Sequence, residues 1–208
     1  MTKLSKVLMV AAAVASVSAA KASDIDFNFN AVDLTSTPLT LSSGGVTVTF
    51  SSPEDPGAYF ALQEPGTFSF TDDVLLSNLD GPPADELDIT FSQALSSFSA
   101  AFGTASFDAP GSLDLAALSG GLSGTTVGTS SATGSIIDGS AFPEGTITFD
   151  SGTFDSVILT DASDPAFAIG DFSITTAPTT SVPEPSTLVL TGIGLAGLLL
   201  ARRRRLRR

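Results

Sequence analysis

Asp24-Ile25-Asp26-Phe27-Asn28-Phe29-Asn30 alternates without a break. Ile25, Phe27 and Phe29 fall on one side of an extended chain, and Asp24, Asp26, Asn28 and Asn30 on the other. A period of two is the geometry of a strand with one buried face, because successive side chains point to opposite sides of the pleat. A helix would scatter the same phenylalanines around its axis. This stretch therefore sets the expectation for the rest of the chain.

The pattern recurs. Val46, Val48 and Phe50 alternate with threonines, and Leu87, Ile89 and Phe91 alternate with Asp88 and Thr90. Phe98, Ala100 and Phe102 continue it, as do Leu113, Leu115 and Ala117, then Ile147 with Phe149. Tyr59–Leu62 and Thr67–Phe70 are shorter candidates, and Phe154–Thr160 and Phe167–Thr175 close the series. Turn signals separate the runs: Ser43-Gly44-Gly45, Pro53 to Pro56, Glu64-Pro65-Gly66, Asp80 to Pro83, Pro110-Gly111, Asp138-Gly139 and Asp164-Pro165. Many short alternating strands between such turns predict an all-β fold, an antiparallel β-sandwich of jelly-roll-like type. In the last run Phe167 and Ile169 share one parity, Phe172 and Ile174 the other. The switch at Gly170-Asp171 predicts a β-bulge. Ser119–Ser135, rich in Gly, Ser and Thr, reads as a long loop or a weak edge strand.

Charge is distributed unevenly. The chain has 9 Lys and Arg against 22 Asp and Glu, and no His or Cys. Every basic residue lies at or before Lys21 or at or after Arg202, whereas every acidic residue except Glu184 lies between Lys21 and Ala177. A folded unit this acidic is unsuited to nucleic acid or an anionic membrane. Its carboxylates must be solvated, capped by backbone amides or neutralised by cations. Lacking Cys, it has no disulfides. Without His, Cys or Lys it has no Ser-His-Asp or Cys-His pair, no His-ligated zinc and no Schiff-base lysine. The reading is that the chain is not an enzyme.

Oxygen-rich acidic sites suit Ca²⁺. First and last strands of a sandwich often pair, so one structural Ca²⁺ is expected on Asp171 with Asp24 or Asp26. Asp85 and Asp88 are the second choice. Tyr59, the one tyrosine in a chain without tryptophan, is the candidate for stacking a sugar ring.

The ends carry delivery signals. Residues 1–22 fit a secretory signal peptide: Lys3 and Lys6, an apolar run from Val7 to Val17, and Ala20-Lys21-Ala22 as the cleavage site, with Val17-Ser18-Ala19 as its rival. Residues 23–177 form the β-sandwich ectodomain, and 178–187 a linker. Leu188–Ala201 is a run of fourteen uncharged residues followed by six arginines in seven. As a helix it covers about 21 Å, short of a hydrocarbon core of about 30 Å. Ser186 and Thr187 extend it, and arginine stems snorkel at the other end. Arg202, Arg203, Arg204 and Arg205 belong on the cytoplasmic side. Gly192-Ile193-Gly194-Leu195-Ala196-Gly197 spells a dinucleotide fingerprint but has no acidic residue after it, so small-residue membrane packing explains it better.

Val182-Pro183-Glu184-Pro185, a short apolar helix and an arginine cluster, in that order, resemble the PEP-CTERM sorting signal. The resemblance implies a chain exported to the inner membrane, held there transiently, cut by exosortase and released to the cell surface or extracellular matrix. It further implies a structural or adhesive role in exopolysaccharide or biofilm, with a Ca²⁺-dependent carbohydrate-binding module as the alternative. Phe154–Thr160 with Phe167–Phe172 is also similar to the closing strands of many ectodomains of this family with carbohydrate-binding-module-like sandwiches.

Overall fold

In a computed structural model the described residues are 22, 24–30, 35–53, 57–62, 68–69, 73–77, 86–105, 110–137, 140–161 and 166–178. The expected signal peptide, the Pro-Glu-Pro motif, the apolar helix and the arginine cluster lie outside them. Ala22–Ala177 forms one unit.

Its described residues form twelve strands. They are β1 (Asp24–Phe27), β2 (Thr35–Ser36), β3 (Leu39–Ser43), β4 (Val46–Ser51), β5 (Tyr59–Leu62) and β6 (Val74–Ser77), then β7 (Glu86–Thr104), β8 (Ser112–Ser119), β9 (Thr125–Thr133), β10 (Glu144–Phe149), β11 (Phe154–Thr160) and β12 (Phe167–Thr176). Every pairing is antiparallel. One layer runs β3-β4-β7-β11-β8-β9. The other runs β10-β7-β12, and the far edge of β12 is shared between β6, which continues to β5 and β2, and β1.

β7 belongs to both layers. Glu86–Phe91 is flanked by β4, with Ser51 opposite Asp88 and Val48 opposite Phe91, and by β11. Phe98–Thr104 is flanked by β10 and β12. Between the two halves Ser92, Gln93 and Ala94 are exposed, and the buried parity changes. Leu87, Ile89 and Phe91 are buried in the first half, Leu95 just after the exposed stretch, and Phe98, Ala100 and Phe102 in the second. The bend is therefore written in the sequence as a slip in alternation. It is held by the β3–β4 hairpin: the Thr47 amide donates to the Ser92 hydroxyl at 2.9 Å, and the Gln93 side chain donates to the Gly45 carbonyl at 2.9 Å.

The inner faces meet in a phenylalanine-rich core. Phe50 of one layer touches Phe29 and Phe172 of the other, with ring centroids 5.5 and 5.7 Å apart. Phe27 stacks flat on Phe172 at 4.8 Å. The alternation at Asp24–Asn30 is realised as read: Ile25, Phe27 and Phe29 are buried and the residues between them exposed. The β3–β4 hairpin turns on Gly44 and Gly45, both at positive φ (54° and 79°), the backbone a two-residue hairpin turn requires.

The bulge also stands where the parity switch put it. The β12–β7 register shifts between Ile169 and Phe172. Ser119–Ser135 resolves in favour of the edge strand: β9 pairs with β8 from Ser119 opposite Thr125 to Ser112 opposite Thr133. The candidate strand at Thr67–Phe70 is not one at its described residues, Phe68 and Ser69. Phe68 instead packs with Val74 and Ala168 in a small second cluster, which is why Ala168, of outward parity, is buried. Ser69 is tied down by Glu144, whose carboxylate accepts from the Ser69 amide at 2.6 Å and from its hydroxyl.

Candidate functional site

With no basic residue between Ala22 and Pro178, Asp24, Glu144 and Asp155 are answered by neutral donors. Asp155 shows this most fully. Its carboxylate accepts from the Gly121 amide at 2.8 Å, the Gly120 amide at 3.0 Å and the Ser156 hydroxyl at 3.1 Å. Burial pushes its pKa up, but these hydrogen bonds outweigh burial and hold it below the ordinary carboxylate value. Asp24 accepts from the Thr175 hydroxyl at 2.7 Å.

The first and last strands do pair, with Asp24 opposite Thr175 and Asp26 opposite Ser173. Asp24, Asp26 and Asp171 are all exposed. Asp171, two residues before Ser173, lies on the same outer face as Asp26. Among the described residues no group of three or more acidic side chains is placed to hold a metal ion. Of the second choice, Asp85 lies outside the described residues.

Asp88 is buried on the outer face of β7, and its Oδ1 has no hydrogen-bond partner. Burial first, then the charge of Glu86 and a hydrogen bond with it, raise the Asp88 pKa to about 6. A carboxyl pair of this kind holds a proton more readily than an isolated acid does.

Tyr59 is not a sugar platform. It is fully buried, packed on Phe167 with centroids 5.4 Å apart. As the first residue of β5 its ring points inward, and the adjacent acidic turn does not draw it to the surface.

The register of the outer face builds a site that no single stretch announces. On the layer containing β8, Leu113, Leu115 and Ala117 of β8 and Val157 and Leu159 of β11 point into the core, while Asp114 and Ala116 of β8 and Ile158 and Thr160 of β11 point out. Two rows result. Thr129, Ala116, Ile158 and Asp88 stand side by side on β9, β8, β11 and β7, and so do Ser131, Asp114, Thr160 and Glu86. Ala116 is the low point of its row, with Thr129 on one side and Ile158 on the other. A groove of about 480 Å³ lies there, lined chiefly by Asp114, Ala116, Thr129, Ser131, Ile158 and Thr160. Three hydroxyls, one carboxylate and one aliphatic side chain face the opening. Among the described residues that line it there is no His, Lys or Arg and no aromatic ring. It is a surface that can hydrogen-bond a hydroxylated ligand.

In fold, the chain is an antiparallel β-sandwich. It is similar to the K2 cleaved adhesin domain of Lys-gingipain, at 12% identity over 74% of this chain and 100% of that one, with a TM-score of 0.49. It is also similar to CsCBM6-3 from Clostridium stercorarium, solved with cellobiose, at 11% identity over 73% and 93%, TM-score 0.38. A third similarity is to the family 32 carbohydrate-binding module of NanJ from C. perfringens, solved with galactose, at 16% identity over 62% and 93%, TM-score 0.35. No curated protein sequence matches. Residues 181–205 match the PEP-CTERM protein-sorting motif. The chain is thus an exosortase-targeted protein, one that is exported, held at the membrane and directed to the surface.

Proposed function

We propose that the chain is a non-catalytic surface or extracellular-matrix protein whose β-sandwich has a structural or adhesive role within exopolysaccharide or biofilm. The sorting motif at 181–205 carries this reading. The folded unit supports it. The unit lacks His, Cys and Lys, and so lacks the usual nucleophile–base pairs. Its core is closed by phenylalanines, and Asp24, Glu144 and Asp155 are capped by amides and hydroxyls. Such a module is suited to persisting outside the cell.

A second reading, a carbohydrate-binding module, is favoured by the groove over Ala116. Mass spectrometry of the exported product tests the first. A C-terminus between Pro183 and Ser186, on protein recovered from the surface or matrix, is the expected outcome. A surface product still carrying Arg202–Arg208 refutes it.

A further inference from the structure

The groove over β8 lacks what most sugar sites rely on. Among the described residues no aromatic ring lines it, so these residues offer a pyranose nothing to stack against. Hydroxyl-to-hydroxyl hydrogen bonds alone contribute little, because each replaces an equivalent bond to water. Affinity must then come from charge-assisted contacts, which are roughly twice as strong.

All the charge available is negative. Asp114 lines the groove, and Glu86 lies beyond Thr160 in the same row. The two carboxyl-bearing strands are separated by one strand, so their backbones stand roughly 10 Å apart across Thr160. Asp88 closes the neighbouring row beyond Ile158. From Ala22 to Pro178 there is no Lys, Arg or His to oppose them. An anionic polymer is repelled by this face, and a neutral one is held by hydroxyls only.

Resting on the carbohydrate-binding reading, we infer that this groove takes a polysaccharide bearing protonated amino groups. An ammonium-bearing sugar places its amine against Asp114, its hydroxyls against Thr129, Ser131 and Thr160, and its ring edge over Ala116 beside Ile158. The small Ala116 side chain admits the ring. The carboxylate selects the amine over its N-acetylated counterpart, which has lost the charge.

Titration calorimetry on the full-length chain in detergent tests this with three hexasaccharides, of glucosamine, N-acetylglucosamine and galacturonic acid. Only the glucosamine hexamer is expected to bind, and added salt should weaken it. Asp114→Asn should lower its affinity about tenfold, the loss of one charge-assisted contact. Thr129→Lys, at an exposed position of the edge strand, should abolish binding while leaving the melting temperature in place. Asp150→Asn, exposed before the start of β11 and far from Thr160, should change affinity less than about twofold, as expected for a screened remote charge.

Equal binding of the N-acetylated hexamer overturns the amine selection. An equal effect of Asp150→Asn and Asp114→Asn overturns the groove, since attraction is then diffuse. Binding of none of the three overturns the inference and leaves the sorting result untouched, because the tail and the groove are read by separate experiments.

Discussion

Phe50 meets Phe172 edge to face, with centroids 5.7 Å apart and ring planes at 81°. Phe50 comes from β4 of one layer and Phe172 from β12 of the other. Phe172 also touches Phe27, Phe29 and Phe98, so one ring joins the first strand, the last strand and the strand shared by both layers. Phe172→Ala should cost about 3–5 kcal/mol, the range for truncating a buried ring that leaves a cavity. Phe172→Leu should cost less, because it keeps more of the volume. Urea melts of the three proteins check the order.

Asp155 gathers the amides of Gly120 and Gly121, which follow β8. Asp155→Ala leaves both donors to solvent and should destabilise the sandwich by about 1–3 kcal/mol. Because the folded-state pKa is lowered, the stabilisation by Asp155 is present above the unfolded value and lost as pH falls through the folded one. The difference between wild type and Asp155→Ala should therefore shrink on acidification. Denaturation curves across pH 2 to 7 test this.

Asp88 should behave in the opposite sense. Its pKa is raised from 3.8 to about 6, so the folded protein holds a proton that the unfolded chain has released. Ionised Asp88 is a penalty, absent below about pH 4 and fully present above about pH 6, and it amounts to at most about 3 kcal/mol. Asp88→Asn should be more stable than wild type at pH 7, and the advantage should vanish near pH 4. An advantage independent of pH would show that burial of the charge is not its cause.

Gly111 passes so close to Thr104 that an added Cβ would stand 1.7 Å from the threonine Oγ1. Gly111→Ala should cost at least about 2 kcal/mol, since overpacking forces backbone or side chain aside. In a Thr104→Ala background the same change should cost less, and a double-mutant cycle measures the coupling.

How much of this was legible beforehand depended on whether the signal was local. Alternation at Asp24–Asn30 and Val46–Phe50 has one physical reading, a half-buried strand, and the structure follows it. The parity slip at Gly170-Asp171 likewise has one cause. β9 was harder to read because Thr125–Thr133 offers almost no apolar residue to show which face turns inward. The place of Tyr59 is not legible in the same way, because residue type alone does not say which face of a short strand a ring takes, and this one is buried. The groove could not be read at all. Asp114, Ala116, Thr129, Ile158 and Thr160 share a surface only through the β8–β9 and β8–β11 registers, and an alanine between threonine and isoleucine leaves no mark in a linear sequence.

The course of β12 has a mechanical consequence. Any pull on the chain beyond Pro178 enters through this strand. Its hydrogen bonds run to β7 along one edge and to β6 and β1 along the other. Tension directed along the strand axis loads these bonds together, in shear, and does not peel them one by one. A load applied beyond Pro178 would thus be met first by β12, gripped along both of its edges.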